Sequence, residues 1–518
     1  MKEIALEDLQ HIVKSDDVVA MAALSVSNLP AELLRGLIIS HEKYKKMNAL
    51  TFILANDINS YGDTLDLDDF VERHMIKRLI TSILTGSKKT ATAMKNNEIE
   101  AYFLPQGVIA THYRYSTRLT PGLITKIGLN TNIDPRYKGG KVNAITKKDI
   151  VSLRKINGED YLQYNFPKID IALLRGTYAD INGNIYASHE AHLGEGYSVA
   201  LAAKQNGGKV IVQVKEIIEL GKFQPSEVFI PGELVDYVFK STDKNYHKQV
   251  IQTYYDPAIS SEYRVQEMPE SYIEFGVRKI ILRKSTEFLK KDDVISIGFG
   301  INNELTNLLV EEEVHHLVHP ILDIGIFGGY IGSRENFGMN YNTEAKLRQD
   351  MTWDFIYNGG VDIAYMSFAE FDQHGNVNVS FFSDRMNGSG GFVDISQSVK
   401  NIIFSGTLVA GAKITCEDEK LVIQKEGHTK KGVTHVQNID FNAEYANYLH
   451  QNVFYVTERA VFRLVKEGLL LIEIAPGLDL KTDILDQLDF EPLISEKLKT
   501  MDPNIFKTHW GKLKEILK

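Results

Sequence analysis

A single cysteine, Cys416, in 518 residues leaves no partner for an internal disulfide and excludes a zinc site built on clustered cysteines. No stretch approaches the roughly eighteen consecutive apolar residues of a membrane-spanning helix. Positive charge is not in excess either. Lysine and arginine number 58 against 68 acids, a formal charge of −10, which argues against the basic face of a nucleic-acid binder. The start, Met1-Lys2-Glu3-Ile4-Ala5-Leu6-Glu7-Asp8, is acidic and lacks an apolar segment, so no secretory signal is expected. A reduced, cytoplasmic setting without nucleic-acid or membrane partners is the expectation. A Gly-x-Ser-x-Gly elbow is also missing, which removes support for a serine hydrolase.

What is present is an ordinary globular composition, 43% hydrophobic and 24% charged, in a chain too long for one core. The strongest organisational signal is a repeat. Residues 170–188 align without gaps to residues 362–380, at a constant offset of 192, with seven of nineteen positions identical. Asp170-Ile171-Ala172 matches Asp362-Ile363-Ala364, and Asp180, Gly183, Asn184 and Ser188 match Asp372, Gly375, Asn376 and Ser380. Earlier in each half, Asp16-Asp17-Val18-Val19 resembles Asp292-Asp293-Val294-Ile295. Such spacing indicates a domain duplication, because solenoid repeats run at about 20–50 residues.

Each copy reads as α/β. The run from Val18 to Leu24 precedes Pro30, which suits the first turn of a helix carrying Leu33, Leu34, Leu37 and Ile38. The run from Asp293 to Gly300 precedes Asn302 or Asn303 as a helix cap, with Leu305, Leu308 and Leu309 at helical spacing. The expected fold is two tandem related domains, each an open, mostly parallel sheet flanked by helices. The expected boundaries are 1–222 and 273–518, joined by a polar, aromatic linker over 223–272.

Gly298-Phe299-Gly300-Ile301-Asn302-Asn303 begins like a dinucleotide fingerprint but has Asn303 at the third glycine position. It reads instead as a strand end whose glycines admit a ligand close to backbone. Gly86-Ser87-Lys88-Lys89-Thr90 lacks the upstream glycine of a phosphate loop and reads as a helix boundary. His315, His316 and His319 beside Glu311, Glu312 and Glu313 read as a charged helix end, and no metal is expected. Cys416 lies next to acids that disfavour a thiolate. Asn387-Gly388-Ser389-Gly390-Gly391-Phe392 is more specific, since so many glycines suit a loop pressed against a ligand. Most specific is Ile321-Leu322-Asp323-Ile324-Gly325-Ile326-Phe327-Gly328-Gly329, a short apolar run ending in one carboxylate and followed by glycines. That presents an acidic nucleophile at the mouth of a parallel sheet.

These segments resemble a known family, the class I coenzyme A transferases of the acetate/propionate (acetoacetate) type, with both halves fused. Further segments carry the resemblance: Leu104-Pro105-Gln106-Gly107-Val108, Arg175-Gly176-Thr177-Tyr178-Ala179-Asp180, His374-Gly375-Asn376-Val377-Asn378-Val379-Ser380 and Tyr455-Val456-Thr457-Glu458-Arg459-Ala460. In that family a glutamate in a Glu-Ser-Gly-x-Ile-Gly-Gly setting attacks an acyl-CoA and then carries CoA as a thioester. The matching position here is Asp323, followed by Ile324 where the family has serine. The family's glycine-rich loop before the first helix is replaced by Ala23-Leu24-Ser25-Val26-Ser27-Asn28-Leu29-Pro30.

The resemblance implies an acyl-CoA:carboxylate CoA-transferase acting on short acids such as acetate, propionate or acetoacetate. Asp323, Gln106 and Gly107 stand at the reacting centre. Gly298, Gly300, Asn303, Gly325, Gly328, Gly329, Gly388, Gly390 and Gly391 contact substrate or CoA. It further implies coenzyme A as substrate with no resident cofactor, and a homotetramer or homodimer. An acyl-CoA hydrolase using Asp323 as general base, or a catalytically impaired CoA-binding homologue, is the alternative. Glu304, Glu335 and Glu370 are conceivable substitute nucleophiles, although none occupies the matching strand end.

Overall fold

The repeated segments fold alike. Asp180 Oδ1 accepts the backbone N–H groups of Asn182 and Asn184 at 2.9 and 3.0 Å, and Asn184 Nδ2 donates to its Oδ2 at 2.8 Å. Asp372 takes the same three bonds from His374, Asn376 and Asn376 Nδ2, each at 3.0 Å. Asp170 and Asp362 accept the first strand N–H of their own halves, Val18 at 2.9 Å and Val294 at 2.8 Å. A short polar side chain that satisfies turn amides fixes the local backbone, which is why these aspartates, glycines and asparagines recur. The computed structural model describes residues 2–116, 119–268, 272–332, 338–382 and 385–518.

Among the described residues the first half builds an eight-stranded sheet. Its order is Lys2–Glu3, Tyr237–Lys240, Lys209–Val214, Ile171–Arg175, Val18–Met21, Leu50–Leu54, Ile76–Thr81 and Glu100–Phe103. Every neighbouring pair is parallel. Ile171–Arg175 and Leu50–Leu54 are buried at every residue, the continuous apolar pattern of a sheet covered on both faces. The helix Ala31–Tyr44 follows Pro30 and buries Leu33, Leu34, Leu37 and Ile38, as their spacing indicates.

Among the described residues the second half has a ten-stranded sheet with a parallel centre. His319–Leu322, Val294–Ile297, Ile363–Ser367, Asn401–Ser405 and Asn452–Val456 run in that order, in parallel register. Antiparallel strands close both margins of that parallel block. In each sheet the chain order reverses beside the first central strand, Val18–Met21 or Val294–Ile297. The carboxyl ends of strands at such a switch point form a natural ligand crevice.

Two expectations need correction. Val228–Ile230 and Tyr237–Lys240 are strands of the first half, so that unit runs beyond residue 222. Tyr237–Lys240 pairs with Lys209–Val214 on one side and Lys2–Glu3 on the other, and backbone pairing recruits a segment whose sequence shows no period. The part that wraps between the halves comes later: Val250 and Ile259 pack with Ala191, Met339 and Tyr341. The second is that neither Asn302 nor Asn303 caps a helix through its side chain. Ile301–Glu304 forms a 3-10 turn that leads into the helix Leu305–Glu311.

The halves share a core. The helix Gln106–Tyr115 of the first packs on Gln349–Tyr357 of the second, and Val108, Ile109, Trp353 and Ile356 lie in one buried cluster. Among the described residues, no helix is long and apolar enough to cross a membrane.

Candidate active site

The strand His319–Leu322 ends at Asp323, and the chain turns back at once into Ile326–Phe327, with Gly325 N–H closing onto Leu322 O at 3.0 Å. The carboxylate is thereby held at the tip of a tight hairpin on the carboxyl side of the parallel block. It faces a cavity of about 370 Å³ between the two sheets. The cavity takes residues from the ends of three first-half strands, including Leu24, Asp57 and Ile83, and of three second-half strands, including Gly298, Asp323 and Phe368.

Gln106 opens the helix that follows Glu100–Phe103, and its side-chain amide donates to the Asp323 carboxylate. The glycine loop covers the other side. Leu84 N–H donates to Asn387 O at 2.6 Å, Gly390 N–H to Ser82 O at 3.0 Å, and Gln106 N–H to Gly390 O at 3.1 Å. The second half's loop is thus stitched to the first half by backbone bonds. At Gly391 a Cβ would lie 2.6 Å from Asp323 Oδ2 and 2.8 Å from Trp353 Cη2, so only glycine lets the loop touch the carboxylate.

Burial pushes the Asp323 carboxyl up to about 6, against the downward pull of Gln106 and the Ile324 backbone N–H. Its side chain is partly open to the cavity, yet protein surrounds it on every other side. Desolvation by those neighbours therefore still disfavours the charge. Behind it lies Asp394, fully buried in the helix Phe392–Ser398. Asp394 accepts from Gly107 N–H at 3.1 Å, Val108 N–H at 3.2 Å and Tyr357 Oη at 2.7 Å. Burial pushes its carboxyl up to about 7, those hydrogen bonds oppose the rise, and the Asp323 charge adds to it.

Gln106, Asp323, Gly298, Gly300, Gly388, Gly390 and Gly391 all line the cavity. Gly107 does not; it lies beneath, where a Cβ would meet Tyr357 Oη at 2.2 Å and the Trp353 ring at 2.5 Å. Asn303 lines an adjoining open groove of about 1150 Å³, continuous with the cavity through Phe299, Gly300 and Asn387. That groove carries Lys88, Lys95, Arg278, Arg385 and Lys431. Gly325, Gly328 and Gly329 are not on the cavity wall. All three have positive φ, and their α-carbons pack on Leu347, Glu344 and Tyr341 to shape the hairpin. Glu304 pairs with Arg278 at 2.9 Å, and Glu370 accepts from Asn378 Nδ2 at 2.8 Å and Gln437 N–H at 2.6 Å. Glu335 lies outside the described residues.

Sequence reasoning missed Asp394, Asp57, Trp353 and Tyr357. Asp394 had a local signal, an acid in the first turn of the helix after the glycine loop. Asp57 stands three residues beyond the strand Leu50–Leu54 and lines the cavity. Trp353 and Tyr357 sit on an amphipathic helix with no sign of the surface they meet.

Comparison with known proteins agrees with this geometry. The model of the family described as coenzyme A transferase matches residues 3–241. A caffeate CoA-transferase of Acetobacterium woodii is 37% identical, over 100% of this chain and 99% of that protein. The acetate CoA-transferase YdiF of Escherichia coli K12 is 35% identical, over 90% of this chain and 88% of its own. The crystal structure of the acyl-CoA transferase YdiF apoenzyme from Escherichia coli O157:H7 superposes with a TM-score of 0.92 at 32% identity, covering 98% of this chain and 97% of that one. A thioester complex of YdiF with CoA gives 0.91. With identity of this level along its whole length, the chain belongs to the class I coenzyme A transferase family.

Proposed function

We propose that this protein moves CoA between carboxylic acids and carries it in transit as a thioester on Asp323. The observation that supports the reading most directly is the seat of Asp323: a desolvated carboxylate at a strand tip, bound by Gln106, against the Gly388–Gly391 loop, with a cationic groove opening beside it. Relatives include proteins described as acetate and caffeate CoA-transferases, and a solved relative is described as a thioester complex with CoA.

The steps balance on this chain's own residues. An Asp323 carboxylate oxygen attacks the acyl-CoA carbonyl, the C–S bond breaks, and CoA leaves as thiolate, giving an acyl–aspartyl anhydride. The thiolate then attacks the aspartyl carbonyl and expels the acyl group as a free carboxylate. An incoming carboxylate reverses both steps and leaves as its CoA ester. Asp323 returns unchanged, and neither oxidant nor metal enters. The Gln106 amide is placed to donate to oxyanions formed at the aspartyl carbonyl, and the loop excludes water from the thioester. Lys88, Arg385 and Lys431 suit the phosphates of CoA.

Intact-mass analysis after mixing with butyryl-CoA tests the reading. The expected adduct is CoA less one water, mapped to Asp323 by peptide sequencing, discharged by an acceptor acid and missing from Asp323→Asn. Release of CoA at one rate with and without acceptor acid, and no adduct, would mark a hydrolase and overturn it.

A further inference from the structure

The cavity beside Asp323 has a composition that the transfer chemistry alone does not require. Its lining includes Leu24, Ile297, Ile324, Met366, Phe392 and Ile395, drawn from both halves. Among the described residues its charged members are Asp57 and Asp323, and no lysine, arginine or histidine lines it. The cations all lie outside, in the adjoining groove. From this distribution we infer that the acyl groups handled at Asp323 are uncharged and extended, on the order of four to eight carbons, with Leu24 and Ile324 setting the preference. The inference rests on the CoA-transfer reading and narrows it.

Ile324, the residue after Asp323, lines the cavity into which an acyl group on Asp323 would extend. Leu24 reaches the same place from the first half. Both flank Gly338, where a Cβ would lie 3.1 Å from Leu24 Cδ2 and 3.6 Å from Ile324 Cδ1. The loop that presents Leu24 is held firmly. Leu24 and Ser27 exchange backbone bonds at 3.0 and 2.9 Å, Ser25 N–H donates to Asp57 O at 2.7 Å, and Ser25 Oγ donates to Asn59 O at 2.7 Å. Two branched side chains on fixed backbone thus make an apolar wall next to the nucleophile.

Charge sets the other limit. Asp57 accepts from Thr85 N–H at 2.7 Å and Thr85 Oγ1 at 2.8 Å, and burial holds its carboxyl up at about 6. A dicarboxylic acid would bring its second carboxylate into a desolvated space that holds two acids and, among the described residues, no counter-charge, a costly arrangement. Size points the same way. At roughly 30 Å³ per water-sized group, 370 Å³ holds about a dozen such groups. An acetyl group, two carbons and one oxygen, fills only a small part of that space. Each methylene buried there strengthens binding about fourfold.

The test measures calorimetric binding of CoA, acetyl-CoA, hexanoyl-CoA and succinyl-CoA to Asp323→Asn protein, in which no transfer consumes the ester. Acetate, hexanoate and succinate are compared as acceptors for the unaltered protein. Hexanoyl-CoA is expected to bind at least tenfold more tightly than acetyl-CoA, and succinyl-CoA no more tightly than CoA. In Leu24→Ala and Ile324→Ser the ratio of hexanoyl- to acetyl-CoA affinity falls below threefold. Equal binding of acetyl and hexanoyl esters, or preference for succinyl-CoA or succinate, overturns the inference and leaves CoA transfer standing. Selective hexanoyl-CoA binding without transfer to any acid upholds the inference and sinks the transfer reading instead.

Discussion

The carboxylate of Asp394 in the second half accepts the backbone N–H of Gly107 in the first, at 3.1 Å, across 287 positions of sequence. It also takes Val108 N–H, so it caps from another domain the helix that carries Gln106. An acid at a helix N-terminus satisfies orphan donors and favours the local dipole. Here the cap also fixes the distance between the Asp323 carboxylate and the Gln106 amide that donates to it.

Removing that cap should disturb catalysis more than folding. Asp394→Ala frees the Gln106 end of the helix by an ångström or so, and kcat should fall about 100-fold. Asp394→Asn keeps an acceptor oxygen and should recover most of the loss. Steady-state kinetics beside circular dichroism check this. Equal kinetics in the two variants would show that the contact positions nothing.

The acid limb of the rate profile should follow Asp323. The attacking form is the carboxylate, so activity rises with pH through about 6, the value to which burial lifts it. Gln106 and the backbone N–H groups of Asp323 and Ile324 are the polar groups that bear on it. Asp394, held up at about 7, is still protonated while Asp323 titrates, so Asp394→Asn should leave the limb in place. A kcat/KM profile from pH 4.5 to 8 locates the limb in both proteins.

The stability contributed by three buried carboxyls should run the opposite way with pH. Asp57, Asp323 and Asp394 are all raised in the folded state. At these sites the native protein holds more protons than the unfolded chain, so their contribution falls as pH rises from about 4 through 6 to 7. Asp323→Asn should raise the melting temperature at pH 8 and leave it unchanged at pH 4. Scanning calorimetry at both pH values decides it.

Gly391 is the tightest point of the loop, with Asp323 Oδ2 and Trp353 both within 3 Å of where a Cβ would stand. Its φ of −80° suits any residue, so Gly391→Ala changes space and not backbone preference. The variant should fold, bind CoA and lose about 100-fold in kcat, because the carboxylate is pushed from its seat. Lengthening the nucleophile meets the same wall, and Asp323→Glu should fall about 10- to 100-fold. A gain in Asp323→Glu would mean that the shorter side chain under-reaches.

The cationic groove should act on affinity alone. Arg385→Ala should raise KM for the CoA ester several-fold with kcat unchanged, and the defect should shrink at high salt. A change confined to kcat would place Arg385 in the chemistry and not in CoA binding.

The sequence by itself determined whatever local chemistry fixes. The repeated aspartate turns, the apolar strand runs and the strand-end position of Asp323 are written in neighbouring residues, because turn bonds and side-chain periodicity act over a few positions. Gly388, Gly390 and Gly391 were legible as a glycine loop for the same reason, and all three line the cavity. Tertiary structure alone decided the rest. Gly325, Gly328 and Gly329 shape a hairpin, because the surfaces they meet come from residues 341–347. Tyr237–Lys240 became a strand because an unpaired sheet edge recruited it. Asp394 met Gly107, and Leu24 met Ile324, only because two duplicated domains face each other with their strand ends inward. Contacts between remote segments depend on how whole sheets pack, and no short stretch of sequence carries that information.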